Sequence, residues 1–311
     1  MKIIKNLITG GSGFIGSHLS KKLLSKGEKV ICLDNYLTSR ESNIEPFLVN
    51  PLFELIKHDV KEKIDIEVDN IWHLACPASP IDYQLNPIET SRTIFLGTYN
   101  MLDLARRSNA KILLASTSEV YGDPQEHPQI ETYNGSVNTT GFRSCYEEGK
   151  RIAETLCSDF QRVHSVNIRI ARIFNTYGPN MRKSDGRVVS NLIVQALKNK
   201  KLSIYGNGNQ TRSFCYVDDL ITGMILLMDS NFKKPINLGN PEELSINEVA
   251  LIIKKLINQS LDVDYKPLPV DDPKRRKPSI ELAKEQLNWE PEVSFEEGLK
   301  KTINWFKENL N

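Results

Sequence analysis

A glycine-rich turn near the amino terminus constrains this chain more than any other feature. Residues 2–8, Lys-Ile-Ile-Lys-Asn-Leu-Ile, read as a short apolar strand, and Thr9-Gly10-Gly11-Ser12-Gly13-Phe14-Ile15-Gly16 turns that strand into a helix expected to begin near Ser12. Glycine is required where backbone turns tightly, where it approaches a pyrophosphate without a Cβ in the way, and where helix packs on strand. The helix start then offers free N–H groups and a positive dipole end to an anion. The spacing is Gly-x-x-Gly-x-x-Gly, and a second strand, Val30-Ile31-Cys32-Leu33, ends at Asp34, about where a carboxylate grips the adenosine ribose hydroxyls. That carboxylate repels a 2′-phosphate, so NAD is favoured over NADP, with nearby Arg40 pulling the other way.

The rest of the chain alternates. Strands are expected at 53–56, 70–74, 110–115 and 166–171, with helices at 87–108 and 141–164. Strands separated by helices predict the α/β class: a Rossmann-type, doubly wound parallel sheet covered on both faces, with a smaller α/β substrate-binding lobe beyond about residue 175. In such sheets ligands sit past the carboxyl ends of the strands, where Gly10, Asp34, Ala75 and Thr117 all fall. With 311 residues, 40% of them hydrophobic, and a net charge of +1, the chain can bury a sizeable core but carries no broad basic field for nucleic acid. No secretory leader or membrane-length apolar run is seen, so a soluble cytoplasmic protein is expected, with no membrane partner. Cys32, Cys76, Cys145, Cys157 and Cys215 form no metal-ligand spacing and are expected as buried reduced thiols; no metal is expected. The five scattered histidines suggest no catalytic role.

Thr117-Ser118-Glu119-Val120-Tyr121-Gly122, followed by Tyr146 and Lys150, says what is done to the ligand. Gly149, Ile152, Ala153, Leu156 and Phe160 recur at helical steps, so Tyr146 and Lys150 sit one turn apart on one side of a helix. A tyrosine titrates near ~10 in water, and a neighbouring cation together with a positively charged nicotinamide can lower it towards a usable base. Ten tyrosines in a lysine-rich chain give roughly one Tyr-x-x-x-Lys by accident, so the pair gains its weight from the phosphate loop before it.

With both sites in view the chain resembles the extended short-chain dehydrogenase/reductase family, in its nucleotide-sugar epimerase and dehydratase group, and within that group the UDP-glucuronate decarboxylases, or UDP-xylose synthases. The resemblance is carried by Leu74-Ala75-Cys76-Pro77-Ala78-Ser79-Pro80 and by residues 115–122, 145–151, 169–179, 185–191, 205–217 and 271–278, in the family's order. It implies cofactor contacts from Gly10, Gly13, Phe14, Ile15, Gly16, Asp34, Asn35, Asp59, Leu74, Ala75, Tyr146 and Lys150. Tyr146 is then expected to remove the C4 hydroxyl proton of a UDP-sugar, Thr117 to position the same oxygen, and Lys150 to hold phenolate and nicotinamide ribose. Ser118, Glu119 and Arg276 complete the implied catalytic set, and Ser79, Tyr83, Asn175, Arg182, Tyr205, Arg212 and Arg276 the substrate contacts. The implied reaction is NAD-dependent decarboxylation of UDP-glucuronate to UDP-xylose through a transient 4-keto sugar; the alternative is a 4-epimerase or 4,6-dehydratase of the same family.

A silent NAD-binding protein would be expected to lack Tyr146, Lys150 or Thr117, and all three are present. Dehydratases typically carry an aspartate where Ser118 stands, and a serine hydroxyl is too weak an acid to protonate a departing hydroxyl. Glu119 is common to both groups. Arg276 matches the arginine that decarboxylases set near the sugar carboxylate, a suitable task for a guanidinium fork. Arg275 could take that place, and four consecutive cations, Lys274 to Lys277, also read as a solvated loop. Ser279 stands where aspartate is common, and Glu147 replaces an aspartate after Tyr146. The resemblance further implies an NAD-binding domain over 1–175 with a return segment at about 214–239, a mainly substrate-binding lobe over 176–311, and a homodimer formed through the helices at 87–108 and 141–164.

Overall fold

The structure, a computed structural model, describes residues 2–267 and 275–310; residues 271–274 of the family-like stretch lie outside them. The first half alternates apart from the run β2-β3-β4 and the helix pair α2-α3: β1 (Lys5–Thr9), α1 (Phe14–Ser25), β2 (Lys29–Asp34), β3 (Phe53–Lys57), β4 (Asn70–His73), α2 (Pro80–Leu85), α3 (Pro87–Ser108), β5 (Lys111–Thr117), α4 (Ser144–His164) and β6 (Asn167–Ile173). Shorter elements follow: β7 (Thr176–Tyr177), α5 (Val188–Leu197), β8 (Leu202–Tyr205), β9 (Thr211–Ser213), β10 (Cys215–Tyr216), α6 (Val217–Asp229), β11 (Pro235–Leu238), β12 (Glu243–Ser245), α7 (Ile246–Ile257), β13 (Val263–Lys266), β14 (Arg275–Arg276), α8 (Glu281–Leu287) and α9 (Phe295–Asn309).

Seven parallel strands form the main sheet in the order β11-β6-β5-β4-β1-β2-β3. The order reverses between β1 and β4, which opens a crevice at their carboxyl ends. Period-two side chains supply both faces. Leu7, Ile31, Ile71, Ile112 and Ile170 pack with Ile94, Met101, Ala153 and Cys157 of α3 and α4. Their neighbours Ile8, Cys32, Trp72, Leu113 and Ala171 pack with Leu19 and Leu23 of α1 and Leu220 and Met224 of α6. The inner strands are buried on both sides, whereas the edge strand β3 exposes Glu54 and Lys57.

Three expected boundaries shift. β1 begins at Lys5 rather than Lys2, since Ile3 and Ile4 stay exposed at the foot of the sheet. α1 begins at Phe14 rather than near Ser12 because the Ser12 N–H is taken by the Asp34 carboxylate at 3.0 Å and the Gly13 N–H by the Gly10 carbonyl at 3.0 Å. α4 begins at Ser144 rather than 141, since a turn in which the Ser144 hydroxyl donates to the Gly141 carbonyl at 2.7 Å precedes it. The cysteines also depart in part from expectation: Cys32, Cys157 and Cys215 are buried, whereas Cys76, which borders the crevice, and Cys145 are only half-buried, and all five are free thiols.

Beyond β6 the chain builds a three-stranded sheet, β12-β9-β14, and a two-stranded pair, β13-β8, before and after returning to the main sheet with β11. Arg276 is in register with Arg212 across β14 and β9. Among the described residues no helix is long and apolar enough to cross a membrane, and no three His, Cys, Asp or Glu side chains gather as a metal site.

Candidate active site

A cleft of about 590 Å³ runs along the carboxyl ends of β1, β2, β4 and β5 and under the shorter strands. Its floor is the phosphate loop. Gly10 holds φ +71°, a left-handed conformation that a side chain would strain, and a Cβ there would meet the Ala75 backbone at 3.1 Å. A Cβ on Gly16 would press on the Gly10 carbonyl and approach the Gly11 Cα to 2.7 Å, so helix and loop touch only because both are bare. At Gly13 a Cβ would meet one atom within 4 Å, the Gly10 carbonyl oxygen at 3.1 Å; the backbone is open towards the cleft there, as a pyrophosphate requires. Beneath the loop, His73 lies between the Thr9 and Thr98 hydroxyls, and burial lowers it to about 3, so it is a neutral structural ring.

Asp34 ends β2 and accepts from the Ser12 N–H at 3.0 Å, the Tyr36 N–H at 2.9 Å and the Ser39 hydroxyl at 2.7 Å. A carboxylate offers about four acceptor positions, which leaves one, together with the exchangeable Ser39 bond, for a ribose hydroxyl. Arg40 turns away from that position: its guanidinium donates to Asn43 and to the Asn180 and Met181 carbonyls, each at 3.3 Å, and lies over the Trp305 ring. The donor set therefore suits a dinucleotide without a 2′-phosphate. Phe14, Ile15, Asn35, Leu74 and Ala75 line the same end of the cleft. Asp59 does not; its carboxylate accepts from Asn35 at 3.2 Å and sits 3.6 Å from Lys61.

At the other end, β5 delivers Thr117, Ser118 and Glu119, and α4 delivers Tyr146 and Lys150. Thr117 hydrogen-bonds the Tyr146 phenol, and its oxygen also accepts from the Glu119 N–H at 3.2 Å. Lys150 Nζ donates to the Ala115 carbonyl at 2.8 Å and stands 5.9 Å from the Tyr146 ring centre. Burial pushes the phenol well above its ordinary range, outweighing the Thr117 bond. The expected lowering took a cation together with a positively charged nicotinamide; Lys150 by itself, engaged by the Ala115 carbonyl, does not offset the burial of the ring. The Tyr83 ring stacks on Tyr146 at 5.0 Å and 5° between planes, and its hydroxyl is buried with no partner among the described residues. An unpartnered buried hydroxyl at the cleft wall is a group prepared for a ligand.

A charge cluster closes this end. The Arg276 guanidinium grips both oxygens of Glu119, through Nη1 and, at 2.9 Å, through Nη2. Arg143 Nη2 donates to the same carboxylate at 2.5 Å, and Arg143 Nε to Glu147 at 3.0 Å. Burial would raise the Glu119 carboxyl, but the two guanidinium groups overcome it and hold it down at about 2. Glu147 moves the opposite way, raised by burial and by the charge of Glu119. Arg276 is buried and lines the cleft, whereas Arg275 is exposed, so the guanidinium facing the site is that of Arg276.

Ser79, Tyr83, Asn175, Arg182, Tyr205 and Arg212 all line the cleft. Arg182 pairs with Asp82, Arg212 is buried beside Arg276, and Tyr205 stands exposed at the end of β8. Sequence reasoning missed Arg143 and Arg187. Arg143 had one local signal, its i,i+4 spacing to Glu147, and Arg187 pairs with Asp185 at the mouth of α5.

The GDP-mannose 4,6 dehydratase family model matches residues 7–302. The chain is 53% identical over 309 residues to UDP-glucuronic acid decarboxylase 1 of Arabidopsis thaliana, covering 99% of this chain and 71% of that protein. It is 55% identical to UDP-glucuronic acid decarboxylase 3 of the same plant, covering 98% of this chain and 90% of the relative. Among solved structures it is similar to UDP-glucuronic acid 4-epimerase from Bacillus cereus in complex with UDP-glucuronic acid and NAD, with a TM-score of 0.89, 27% identity, and coverage of 98% and 100%.

Proposed function

This chain belongs to the extended short-chain dehydrogenase/reductase family that the GDP-mannose 4,6 dehydratase model describes, alongside the UDP-glucuronic acid decarboxylases, and from that premise we propose that it decarboxylates UDP-glucuronate to UDP-xylose. One observation carries the reading: a tyrosine phenol able to work on a sugar hydroxyl and a buried guanidinium able to hold a sugar carboxylate face the same cleft, with Glu119 between them.

Gly10, Gly13, Gly16, Asp34 and Lys150 would hold NAD, which would supply the chemistry of accepting the C4 hydride and returning it with no net redox change. The chain's own residues handle protons, charge and placement. Tyr146 Oη removes the proton of the C4 hydroxyl and later gives it back, and Thr117 holds that oxygen in line. Arg276 receives the C6 carboxylate as a fork receives a planar anion, while Arg143 keeps Glu119 paired. Once C4 is a ketone, the carboxylate lies β to a carbonyl, and carbon dioxide leaves with its electron pair delocalised into an enolate. Protonation at C5 leaves a 4-keto pentose, and UDP-xylose results when C4 regains its hydride and Tyr146 returns the hydroxyl proton. Ser118 supplies no acid strong enough to expel a C6 hydroxyl, which sets this site apart from a dehydratase. Asn175, Arg182, Tyr205 and Arg212 take the diphosphate and uridine, whose remote binding energy orients the pyranose.

The same reading takes residues from 176 on, apart from the return at about 214–239, as the lobe that closes on the sugar. It also takes the protein as a cytoplasmic homodimer, with exposed Ile88, Phe95 and Tyr99 of α3 and Ile152 and Val163 of α4 as the apolar side chains a partner would cover. Mass spectrometry of the products from purified protein, UDP-glucuronate and NAD tests the reaction. Loss of carbon dioxide with UDP-xylose formed is expected; a product of unchanged mass inverted at C4 would make the protein an epimerase instead.

A further inference from the structure

Arg276 reaches the cleft from a strand of two residues, too short to fix a long side chain by itself. On one side β14 pairs with β9. The next residues are held by Gln129, which is fully buried although it lies 148 positions away in sequence. The Gln129 N–H donates to the Lys277 carbonyl at 2.8 Å, its side-chain Oε1 accepts from the Lys277 N–H at 2.8 Å, and its carbonyl accepts from the Ser279 N–H at 2.8 Å. Pro278, between them, has no N–H to satisfy. Gln129 Nε2 donates to the Glu126 carbonyl at 2.8 Å, which fixes the amide, and Asn237 Nδ2 ties the Gln129 and Ser279 carbonyls together at 3.0 and 3.2 Å. The N–H, the carbonyl and Oε1 of Gln129 are thus spent on the backbone that follows Arg276, its Nε2 fixes the amide, and the residue does not line the cleft.

We propose that Gln129 is a positioning residue for recognition of the substrate carboxylate, acting through Arg276; the proposal rests on the decarboxylase reading above. The Gln129 side chain does for Lys277 what a neighbouring strand would do, so the Arg276 Cα is fixed from both sides and its guanidinium arrives where a carboxylate, that of Glu119 or of the sugar, can be gripped at two points. Losing the acceptor leaves the Lys277 N–H unmatched and frees the strap to drift. A misplacement of about 1 Å costs on the order of 100-fold in such sites. The effect falls on ligands that bear a carboxylate, because the phenol and the phosphate loop are carried by other elements and β9, which carries Arg212, is held on its other side by β12.

The test compares UDP-glucuronate with UDP-xylose, which shares the nucleotide and the pyranose but lacks the carboxylate. For Gln129→Met, which keeps volume and removes the acceptor, the Kd of UDP-glucuronate by calorimetry and its kcat/KM should each worsen on the order of 10- to 100-fold. The Kd of UDP-xylose, and the rate at which it reduces NAD, should stay within about two-fold of wild type. Gln129→Glu retains an oxygen facing the Lys277 N–H and should restore most of the UDP-glucuronate affinity. Gln129→Asn, which withdraws the acceptor by one methylene, gives the same comparison should the Met variant fail to fold. Equal losses for both ligands, or none for either, would overturn the proposal. A wild-type enzyme that binds UDP-glucuronate but releases no carbon dioxide would instead overturn the decarboxylase reading.

Discussion

Glu119 and Arg276 are coupled strongly enough for pH to reveal it. The Glu119 carboxyl sits at about 2 against an ordinary 4.5. At 1.36 kcal/mol for each pH unit, the folded protein favours the ionised form by about 3 kcal/mol. Both side chains are largely buried, at 6% and 13% exposure, so solvent screens little of this. Arg276 makes the two-pronged contact, charged hydrogen bonds of that kind contribute about 1.5–3 kcal/mol, and Arg143 acts in the same direction against the opposing effect of burial. Because folding depresses this carboxyl, its stabilisation is fully present above about 4.5 and is lost as pH falls through about 2. A double-mutant cycle of Glu119→Gln and Arg276→Met, read from urea midpoints, should give a coupling of about 2 kcal/mol at neutral pH. The coupling should shrink steadily below pH ~4 as the carboxyl takes up its proton. A coupling under about 0.5 kcal/mol at neutral pH, or one that is flat with acidification, would show that the guanidinium is not what holds the carboxylate.

Two further outcomes follow from the same geometry. Tyr146→Phe should leave NAD affinity intact and cut ketone formation on the order of 10²- to 10⁴-fold, the usual worth of a positioned acid–base group; single-turnover NADH absorbance reads it, and an unimpaired rate would remove the phenol from the chemistry. Gly16→Ala drives a methyl into the Gly10 carbonyl and to 2.7 Å from the Gly11 Cα, so a loss of about 1–3 kcal/mol in stability and a weaker NAD complex are expected. Gly27→Ala is the control: unlike Gly16 it stands at positive φ, and among the described residues no atom lies within 4 Å of its Cβ position, so it should lower the melting temperature without touching NAD affinity.

What could be read from the sequence is what the backbone enforces locally. The phosphate loop, Asp34 and Thr117 each end or follow a strand of the parallel sheet, and a parallel sheet puts all such ends on one edge, so finding the strands already gathers these residues. Tyr146 and Lys150 needed only one helical turn. The fold class follows from the same alternation, and α1 starts later than expected because Ser12 spends its N–H on Asp34.

The charge cluster was legible only by halves, and the reason is physical. Residue type revealed that a guanidinium was at hand, but choosing between Arg275 and Arg276 is a question of which face of a two-residue strand points inward, and no periodicity exists over two residues. The choice is made by a register with β9 and by Gln129, whose amide closes on Lys277 from 148 positions away. Arg143 was hidden for a related reason: its partner Glu119 lies 24 residues earlier, on another element, and only packing α4 against the end of β5 brings them to 2.5 Å. Sequence therefore exposes the groups that act on the sugar hydroxyl, which sit on regular elements, and conceals those that would handle the carboxylate, which are assembled from strap, turn and helix start. The first set is shared among enzymes that oxidise and re-reduce a nucleotide sugar. The second, held by long-range contacts that can be changed without disturbing the sheet, is where one member of the family can come to differ from another.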